Sequence, residues 1–169
     1  HDRFPDGFVV EGPLAGGHLG FSREQLQHLD DFKLERLVTQ VIEAVRPWEE
    51  KAGRPIPVIA AGGIFTGEDI ARFLNLGAAG VQMATRFVCT EECDASPLFK
   101  QAYLNAAPED IGFIKSPVGM PGRAIKNTFL SRVDGGWEAP IYCPYHCIRT
   151  CVPEKSPYCI ALALDNARL

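Results

Sequence analysis

The fold is decided by the stretch Ile56-Pro57-Val58-Ile59-Ala60-Ala61-Gly62-Gly63-Ile64. Its apolar run from Ile56 to Ala61 does not alternate with polar residues, which is typical of a strand covered on both faces in a parallel sheet. The pair Gly62-Gly63 then ends the strand. A second strand, predicted over Ala79 to Ala84, runs into the short segment Gln82-Met83-Ala84-Thr85-Arg86. Two strands of the same kind are therefore predicted one βα unit apart.

The segments around this stretch alternate between strand and helix, as expected of parallel βα units. Thr66 and Ser96 indicate helix N-caps, and the proline after Ser96 suits a first helical turn. Pro47 is expected to end or kink the first helix. The predicted elements are a strand over Phe8 to Glu11 and helices over Phe32 to Val45, Gly67 to Leu76 and Pro97 to Ala106.

The later part of the chain has a more irregular pattern. Ser116 to Gly122 is rich in proline and glycine and predicts a loop. Apolar residues between Ile125 and Val133 favour a helix before Gly135-Gly136, and a terminal helix is predicted over Ile160 to Arg168. We therefore predict an α/β fold in two parts: residues 1–107 with the βα units, and residues 108–169 as an irregular, helical extension with a cysteine-rich segment.

The composition excludes several classes of protein. The chain has 169 residues, 46% of them hydrophobic and 22% charged, and a formal net charge of -4. It is too apolar for a disordered chain, and no apolar run reaches the roughly 18 residues of a transmembrane helix. Mild acidity without a Lys/Arg cluster argues against nucleic-acid or membrane-surface binding. Six cysteines and no hydrophobic signal segment favour a cytoplasmic protein with reduced thiols.

Two neighbouring turns, at Gly62-Gly63 and at Gln82 to Thr85, favour a phosphate site. In βα barrels, the loops after the seventh and eighth strands together form a recurrent phosphate site. Glycine has no Cβ, so its backbone can approach a phosphate and adopt positive φ, and Thr85 adds a hydroxyl donor. An ordinary strand-ending turn at Gly62-Gly63 is the alternative. The repetition one βα unit later favours the phosphate site.

The loop Ala15-Gly16-Gly17-His18 also follows a predicted strand, so it should project from the same end of the sheet. Imidazole is the side chain best suited to proton transfer near neutral pH. A lone histidine is usually structural, but Gly16 and Gly17 deny His18 a packed shell and leave room for a flat ligand. We predict that His18 is catalytic.

Three segments together resemble the nitronate monooxygenase family, which also includes the flavin-dependent enoyl-acyl carrier protein reductases. In order and spacing they are Glu11-Gly12-Pro13-Leu14-Ala15-Gly16-Gly17-His18-Leu19-Gly20, Pro57-Val58-Ile59-Ala60-Ala61-Gly62-Gly63-Ile64 and Gly80-Val81-Gln82-Met83-Ala84-Thr85-Arg86-Phe87. The resemblance implies an FMN-binding (β/α)8 TIM barrel, of which this chain holds about the last three βα units.

The resemblance also implies roles for individual residues. Glu11 and Gly16 would lie against the flavin, and His18 would be the acid/base. Gly63 and Gln82 to Thr85 would hold the ribityl chain and the phosphate. Glu11 stands where many members have glutamine, and Ala84 stands where they have glycine, which puts a methyl group near the phosphate. The cofactor-binding set is Glu11, Gly16, Gly17, Gly62, Gly63, Gln82, Met83, Ala84 and Thr85, and no metal ligand is assigned.

The length of the chain differs from that of the family barrel. A barrel of this type needs about 250 residues, so the resemblance implies that the first five βα units are absent from this sequence. Three parallel strands leave two raw sheet edges and an uncovered face. We expect a piece of a larger enzyme that self-associates or pairs with the missing barrel half. We also expect the isolated chain to bind FMN weakly or not at all and to be inactive.

The leading function is an FMN-dependent oxidoreductase that oxidises nitronates or nitroalkanes, or that has NAD(P)H-dependent flavin reductase activity. His18 would take a proton α to a nitro group or hold the nitronate. The alternative is an enoyl-acyl carrier protein reductase, in which His18 would assist protonation next to a thioester carbonyl. The small-molecule substrate is then a nitronate or an enoyl thioester, with NAD(P)H as the candidate reductant. A third possibility replaces the flavin with a sugar phosphate.

The cysteines support an alternative of another class. Cys143, Cys147 and Cys151 are spaced four apart, and Cys159 follows after seven residues. Four thiolates could bind zinc or an iron–sulfur cluster, as in a non-enzymatic, metal-binding interaction domain. The spacing is not the usual CxxC pairing, and prolines interrupt a helix that would place the thiols on one face. Free thiols are the competing interpretation.

Overall fold

The computed structural model describes residues 3–136, 143, 145, 147, 149 and 151–168. Their elements, in chain order, are β1 (Phe8–Glu11), β2 (Gly17–His18), α1 (Leu34–Ala52), β3 (Val58–Ala61), α2 (Gly67–Asn75), β4 (Gly80–Gln82), α3 (Thr85–Val88), α4 (Pro97–Asn105), β5 (Ile111–Lys115), β6 (Pro121–Ile125), α5 (Thr128–Asp134) and α6 (Ile160–Arg168). Short 3-10 turns cover Gln25–Gln27, Leu29–Phe32, Pro108–Asp110 and Pro153–Lys155.

The chain groups into two compact units. The first unit is His1–Ala15 with Phe21–Arg86, and the second is Gly16–Gly20 with Phe87–Leu169. Residues 87–107 belong to the second unit by this grouping, and the domain boundary predicted after residue 107 stays a prediction.

Strands β1, β3 and β4 of the first unit form a parallel sheet in the order β1-β3-β4. The central strand β3 is largely buried, as its uninterrupted apolar sequence predicts. Phe8 and Val9 of the edge strand β1 are 39% and 51% exposed. An α/β fold with a parallel sheet is therefore confirmed.

The core of the first unit forms where helices pack on this sheet. Val38 of α1 and Ala60 of β3 are fully buried, and Phe73 of α2 is 2% exposed. Each large apolar side chain buried in this way contributes about 1.5–3 kcal/mol relative to an exposed one. The core residues are Leu34, Val38, Val45, Ile56, Val58, Ala60, Ile64, Phe73 and Ala78.

Pro47 was expected either to end or to kink the first helix. Helix α1 does not end there but continues to Ala52. A proline in a helix interior removes one hydrogen bond and costs roughly 3 kcal/mol. Ala52 still packs against the core beyond the proline, and burial along this side of the helix offsets that cost. Gly53 follows the last helical residue, and its φ of +65° is the left-handed conformation common at helix C-termini.

Two predicted helix N-caps are confirmed. The Asp69 amide donates to the Thr66 side chain at 3.2 Å, and the Thr66 amide donates to the Asp69 carboxylate at 2.9 Å, which completes a capping box before α2. The Phe99 amide donates to Ser96 Oγ at 3.3 Å before α4. Gly77 follows α2 with a φ of +98°. Short-range sequence signals therefore specify these helix ends.

The second unit contains a sheet that the sequence analysis did not predict. Strands β2, β6 and β5 are antiparallel, in the order β2-β6-β5. The prediction of an irregular, helical extension is wrong for this part, because β6 begins at Pro121 and includes Ile125. The predicted loop from Ser116 therefore ends at Met120. Glycines at 112 and 122 and the two-residue length of β2 weaken the strand pattern in the sequence.

The two helices predicted after this sheet are present. Helix α5 begins after Asn127, whose side chain accepts a hydrogen bond from the Leu130 amide at 2.9 Å. Helix α6 has the predicted bounds, Ile160–Arg168. Among the described residues, no helix combines the length and the apolar character needed to span a membrane.

Candidate functional site

The three parallel strands of the first unit end in register at one edge of the sheet. Glu11 pairs with Ala61, and Ala61 pairs with Gln82. Because carboxyl ends of parallel strands share an edge, the segments that follow them leave the sheet on the same side. This arrangement brings together the predicted cofactor residues Glu11, Gly62, Gly63, Gln82, Met83, Ala84 and Thr85.

The glycine pair after β3 has positive φ angles, +90° at Gly62 and +82° at Gly63. A Cβ on Gly62 would lie 2.9 Å from the Cβ and 3.0 Å from the backbone nitrogen of Ala15. A Cβ on Gly63 would lie 3.0 Å from the Cβ of Leu14. The backbone conformation and packing of the first unit therefore already require both glycines. A strand-ending turn explains the pair without any ligand.

The backbone amides after the two strands are the groups that can bind an anion. In the described part of the chain, the amides of Gly63, Ile64 and Ala84 donate to no backbone or side-chain acceptor. Each such N–H carries a partial positive charge and needs an acceptor. Thr85, which is exposed, adds its hydroxyl after Ala84. The donors present therefore suit a phosphate group.

The amides that follow Ile64 are occupied by a side chain of the protein. The Thr66 amide at 2.9 Å and the Phe65 amide at 3.0 Å both donate to the Asp69 carboxylate. These hydrogen bonds stabilise the carboxylate and hold the pKa of Asp69 below its ordinary value. Asp69 thus closes the N-terminus of α2, and the free donors lie on the glycine side of the loop.

Arg86 joins the two loops of the first unit. Its Nη1 donates to the Phe65 carbonyl oxygen at 3.2 Å, and its guanidinium lies 4.9 Å from the centroid of the Phe65 ring. A cation–π contact at an exposed position contributes about 0.5–1 kcal/mol. Arg86 could not be recognised from the sequence, because its partner lies 21 positions earlier and gives no local signal.

His18 lies in the second unit, on the short strand β2. Its Nε2 lies 2.6 Å from Ser116 Oγ, although the residue as a whole is exposed. A hydrogen bond between Nε2 and a buried hydroxyl fixes the orientation of the imidazole ring. The predicted histidine is therefore positioned by a partner in its own unit.

Ser116 is a functional candidate that the sequence analysis missed. Its side chain is buried, with 2% exposed, and Oγ also accepts a hydrogen bond from the Val118 amide at 3.3 Å. The Gly119 amide closes the turn on the Ser116 carbonyl at 3.1 Å, with a φ of +87° at Gly119. A Ser-Pro-Val-Gly turn between two short strand-like segments was the signal available in the sequence.

The glycines before His18 have open surroundings. Within the described part of the chain, a Cβ on Gly16 or on Gly17 would meet no atom within 4 Å. Gly17 has a φ of +75°, which favours glycine for conformational reasons, but Gly16 is not in the left-handed region. No contact described here requires glycine at Gly16. An alanine at Gly16 therefore tests for a ligand without disturbing the described contacts.

The four cysteines of the C-terminal segment line one pocket of the second unit. They are free thiols, and Cys147 is the exposed member. Among the described residues, no three or more Cys, His, Asp or Glu side chains come together as a metal site. The described residues therefore give no support to the metal-bound alternative.

A family model described as nitronate monooxygenase matches residues 1–156. The chain belongs to the nitronate monooxygenase family. The resemblance of the three sequence segments is therefore confirmed, and it extends over most of both units. The family match includes the free amides of the first unit and the His18–Ser116 pair of the second.

Individual relatives agree with this assignment. A probable nitronate monooxygenase of Staphylococcus aureus (strain Newman) is 34% identical over 128 residues, which cover 76% of this chain and 34% of the relative. A structure of FabK from Thermotoga maritima has a TM-score of 0.57 at 32% identity, over 77% of this chain and 36% of that one. A nitroalkane oxidase from Streptomyces ansochromogenes has a TM-score of 0.56 at 35% identity, over 75% and 34%. The chain spans about a third of the length of these relatives.

Proposed function

We propose that this chain supplies the phosphate site and the acid/base of an FMN-dependent oxidoreductase that oxidises nitronates or nitroalkanes. The observation that carries the proposal is the pair of loops with free amides after adjacent parallel strands, in a chain of the nitronate monooxygenase family. The three strands would be about the last three of a (β/α)8 barrel.

The residues present fit FMN. The amides of Gly63, Ile64 and Ala84 and the Thr85 hydroxyl would hold the phosphate, which needs several donors. Gln82 would contact the ribityl chain, and Met83 would place its side chain at the edge of the core. Glu11 is exposed at the end of β1 and would accept a hydrogen bond from a ring N–H. Gly16 and Gly17 would leave room for the flat ring system.

His18 would move the proton of the reaction. When bound, FMN accepts the substrate's electrons as a hydride or singly, which is chemistry that side chains cannot supply. His18 would remove a proton α to a nitro group, or would donate a hydrogen bond to a nitronate that is already anionic. Ser116 would hold the ring in place throughout. A positioned general base contributes about 100-fold to 10,000-fold to a rate.

A second candidate is an enoyl thioester reductase, the alternative activity that the family resemblance implies. His18 would then give a proton to the carbon next to a thioester carbonyl instead of removing one. NAD(P)H would be the reductant in this case and an optional one in the first. We propose a cytoplasmic location for the protein under either candidate function. The two outer strands of the parallel sheet would pair with another copy or with the rest of the barrel.

Flavin titrations test the cofactor site without an activity assay. FMN and riboflavin differ only in the phosphate, so their dissociation constants separate the two halves of the site. In the complete natural protein, Thr85→Ala should weaken FMN binding about tenfold and leave riboflavin binding unchanged, because one phosphate hydrogen bond is lost. Gly16→Ala should weaken both, because its methyl group would occupy the space of the ring system.

The matched control is Gly20→Ala, which also meets no atom within 4 Å in the described part of the chain and should change neither constant. If Thr85→Ala weakened the binding of FMN and of riboflavin equally, the phosphate would not bind in this loop. Steady-state assays then distinguish the substrates: a nitronate with oxygen against an enoyl thioester with NAD(P)H. Turnover of the thioester alone would favour the second candidate.

A further inference from the structure

The second unit contains a pocket whose walls carry four thiols. The pocket has a cavity volume of about 20 Å³, room for roughly one water molecule, and is partly open to solvent. Its other walls are largely apolar, so the sulfur atoms are its principal reactive groups. The lining residues are Pro117, Val118, Cys143, Cys147, Cys151, Pro153, Ser156, Tyr158, Cys159 and Ile160. Neither the proposed flavin site nor His18 uses these thiols.

Two of the thiols have well-defined neighbours. Cys159 directly precedes α6, and the Ala163 amide donates to its carbonyl oxygen at 3.0 Å, which places Cys159 at the N-terminus of that helix. Cys151 Sγ lies 3.5 Å from the hydroxyl of Ser156, another residue of the pocket wall. Both cysteines are half-buried, so reagents can reach them.

We propose that Cys151 and Cys159 form a reversible disulfide and that hydroperoxides are the oxidants. With hydrogen peroxide, the Cys159 sulfur attacks one oxygen, the O–O bond breaks, and the other oxygen leaves with the thiol proton, so that a sulfenic acid and water are formed. The Cys151 thiol then attacks this sulfur, which forms the S–S bond and releases a second water. Two thiols are oxidised to one disulfide and one hydrogen peroxide is reduced to two waters, so the protein loses two protons and two electrons.

The segment between the two cysteines is short and mostly irregular. Cys151 and Cys159 enclose seven residues that contain one 3-10 turn, Pro153–Lys155, and no α-helix or β-ladder lies between them in the described chain. Closing the bridge therefore breaks no regular element. A structural metal is a weaker interpretation, because no set of three ligands comes together among the described residues.

Differential alkylation of the reduced, complete protein tests the proposal. After treatment with one equivalent of hydrogen peroxide, we expect loss of two free thiols and a mass decrease of about 2 Da, with Cys151 and Cys159 joined in the peptide map. Dithiothreitol should restore both thiols. Cys151→Ser and Cys159→Ser should each abolish the bridge, whereas Cys143→Ser should not.

Cys89 and Cys93 are internal controls, since both are half-buried thiols that do not line the pocket. They should remain alkylatable under the same treatment. Oxidation of all six thiols at one rate, a bridge between a different pair, or no bridge at all would each overturn the proposal. So would zinc or iron that purifies at one equivalent and protects the four thiols. The peroxide treatment of the wild-type protein is compared with the same protein left untreated, so this part of the test does not depend on the stability of any variant.

Discussion

The glycine pairs Gly62-Gly63 and Gly16-Gly17 look alike in the sequence, but their surroundings in the structure differ. At Gly62 and Gly63, both φ angles are positive, and a Cβ would come within about 3 Å of Ala15 or Leu14. At Gly16 and Gly17, no described atom lies within 4 Å of a Cβ, and φ is positive only at Gly17. The first pair is explained by the protein's own packing, and the second is not.

This difference decides at which glycine a substitution can give evidence for a bound ligand. A substitution at Gly63 would disturb the turn whether or not a phosphate binds there, so loss of FMN from Gly63→Val does not identify the phosphate site. Gly16 can accept a methyl group in the protein alone, so a loss of binding there is evidence for the ligand itself. The free backbone amides and the Thr85 hydroxyl support a phosphate site in the first unit. This support does not depend on the missing Cβ atoms of Gly62 and Gly63.

The largest expected effect is on the stability of the packed pair. Gly62→Ala should destabilise the protein by about 2–5 kcal/mol, because positive φ at alanine and overpacking each cost about 1–3 kcal/mol. The close contact is with the backbone of Ala15, which cannot rotate away. Chemical denaturation of the wild type and the variant measures this free energy of unfolding.

Gly67→Ala is the control for the packed pair. Gly67 begins α2 five positions later, and a Cβ there meets no described atom within 4 Å. Alanine should be neutral or slightly stabilising at this site. If Gly62→Ala and Gly67→Ala unfolded at the same denaturant concentration as the wild type, the contrast between the two glycine pairs would be lost.

The next effect concerns the histidine beside the open pair. His18→Asn should lower kcat by about 100-fold or more, since Asn cannot exchange a proton near neutral pH. That change equals about 2.7 kcal/mol in activation free energy. FMN content after gel filtration should be unchanged, because the cofactor donors lie elsewhere in the chain. If kcat of His18→Asn equalled that of the wild type across the pH range, His18 would not be the acid/base.

Local sequence signals predicted much of the first unit, because its elements depend on neighbours in the chain. The capping box of Thr66 and Asp69 and the apolar run of β3 needed no long-range information. Pro47 shows the limit of this reasoning: its local cost is offset by burial of the helix that contains it, and burial depends on tertiary contacts. The end of α1 could therefore not be located from the proline alone.

The second unit was harder to predict because its sheet joins distant segments. β2 comes from residues 17–18 and pairs with β6, more than 100 positions later. His18 was found because imidazole chemistry is visible in a single residue. Ser116 was not found, because its role exists only through a contact with a residue 98 positions away. Only the structure brings these two residues together.

Removal of that contact should have an intermediate effect. Ser116→Ala should lower kcat about tenfold, since one hydrogen bond worth roughly 0.5–1.5 kcal/mol orients the ring. Ser116→Thr, which keeps a hydroxyl, should recover part of the loss. Steady-state kinetics with measured FMN occupancy separates this effect from cofactor loss. A full loss of activity in Ser116→Thr with normal FMN content would show that packing matters at this site and the hydroxyl does not.

A smaller effect is expected where the packed glycine loop enters α2. Thr66→Ala should cost about 1 kcal/mol, the usual value of an N-cap side chain. Asn127→Ala, which removes the cap of α5 in the second unit, should cost a similar amount. Urea unfolding followed by circular dichroism measures both. A cost near zero for Thr66→Ala would mean that Asp69 alone holds the entry to α2.

The smallest effect is a dependence of stability on pH at the same helix start. Hydrogen bonds from the Thr66 and Phe65 amides lower the pKa of Asp69 in the folded protein from its ordinary value of 3.8. The folded state thus holds its proton less tightly than the unfolded state, so the contribution is fully present above 3.8 and is lost as the pH falls through the lower folded value. The melting temperature of Asp69→Asn should lie below that of the wild type near neutral pH, and the gap should narrow under acid. A gap that stayed constant down to the acid transition would mean that Asp69 acts by its shape and not by its charge.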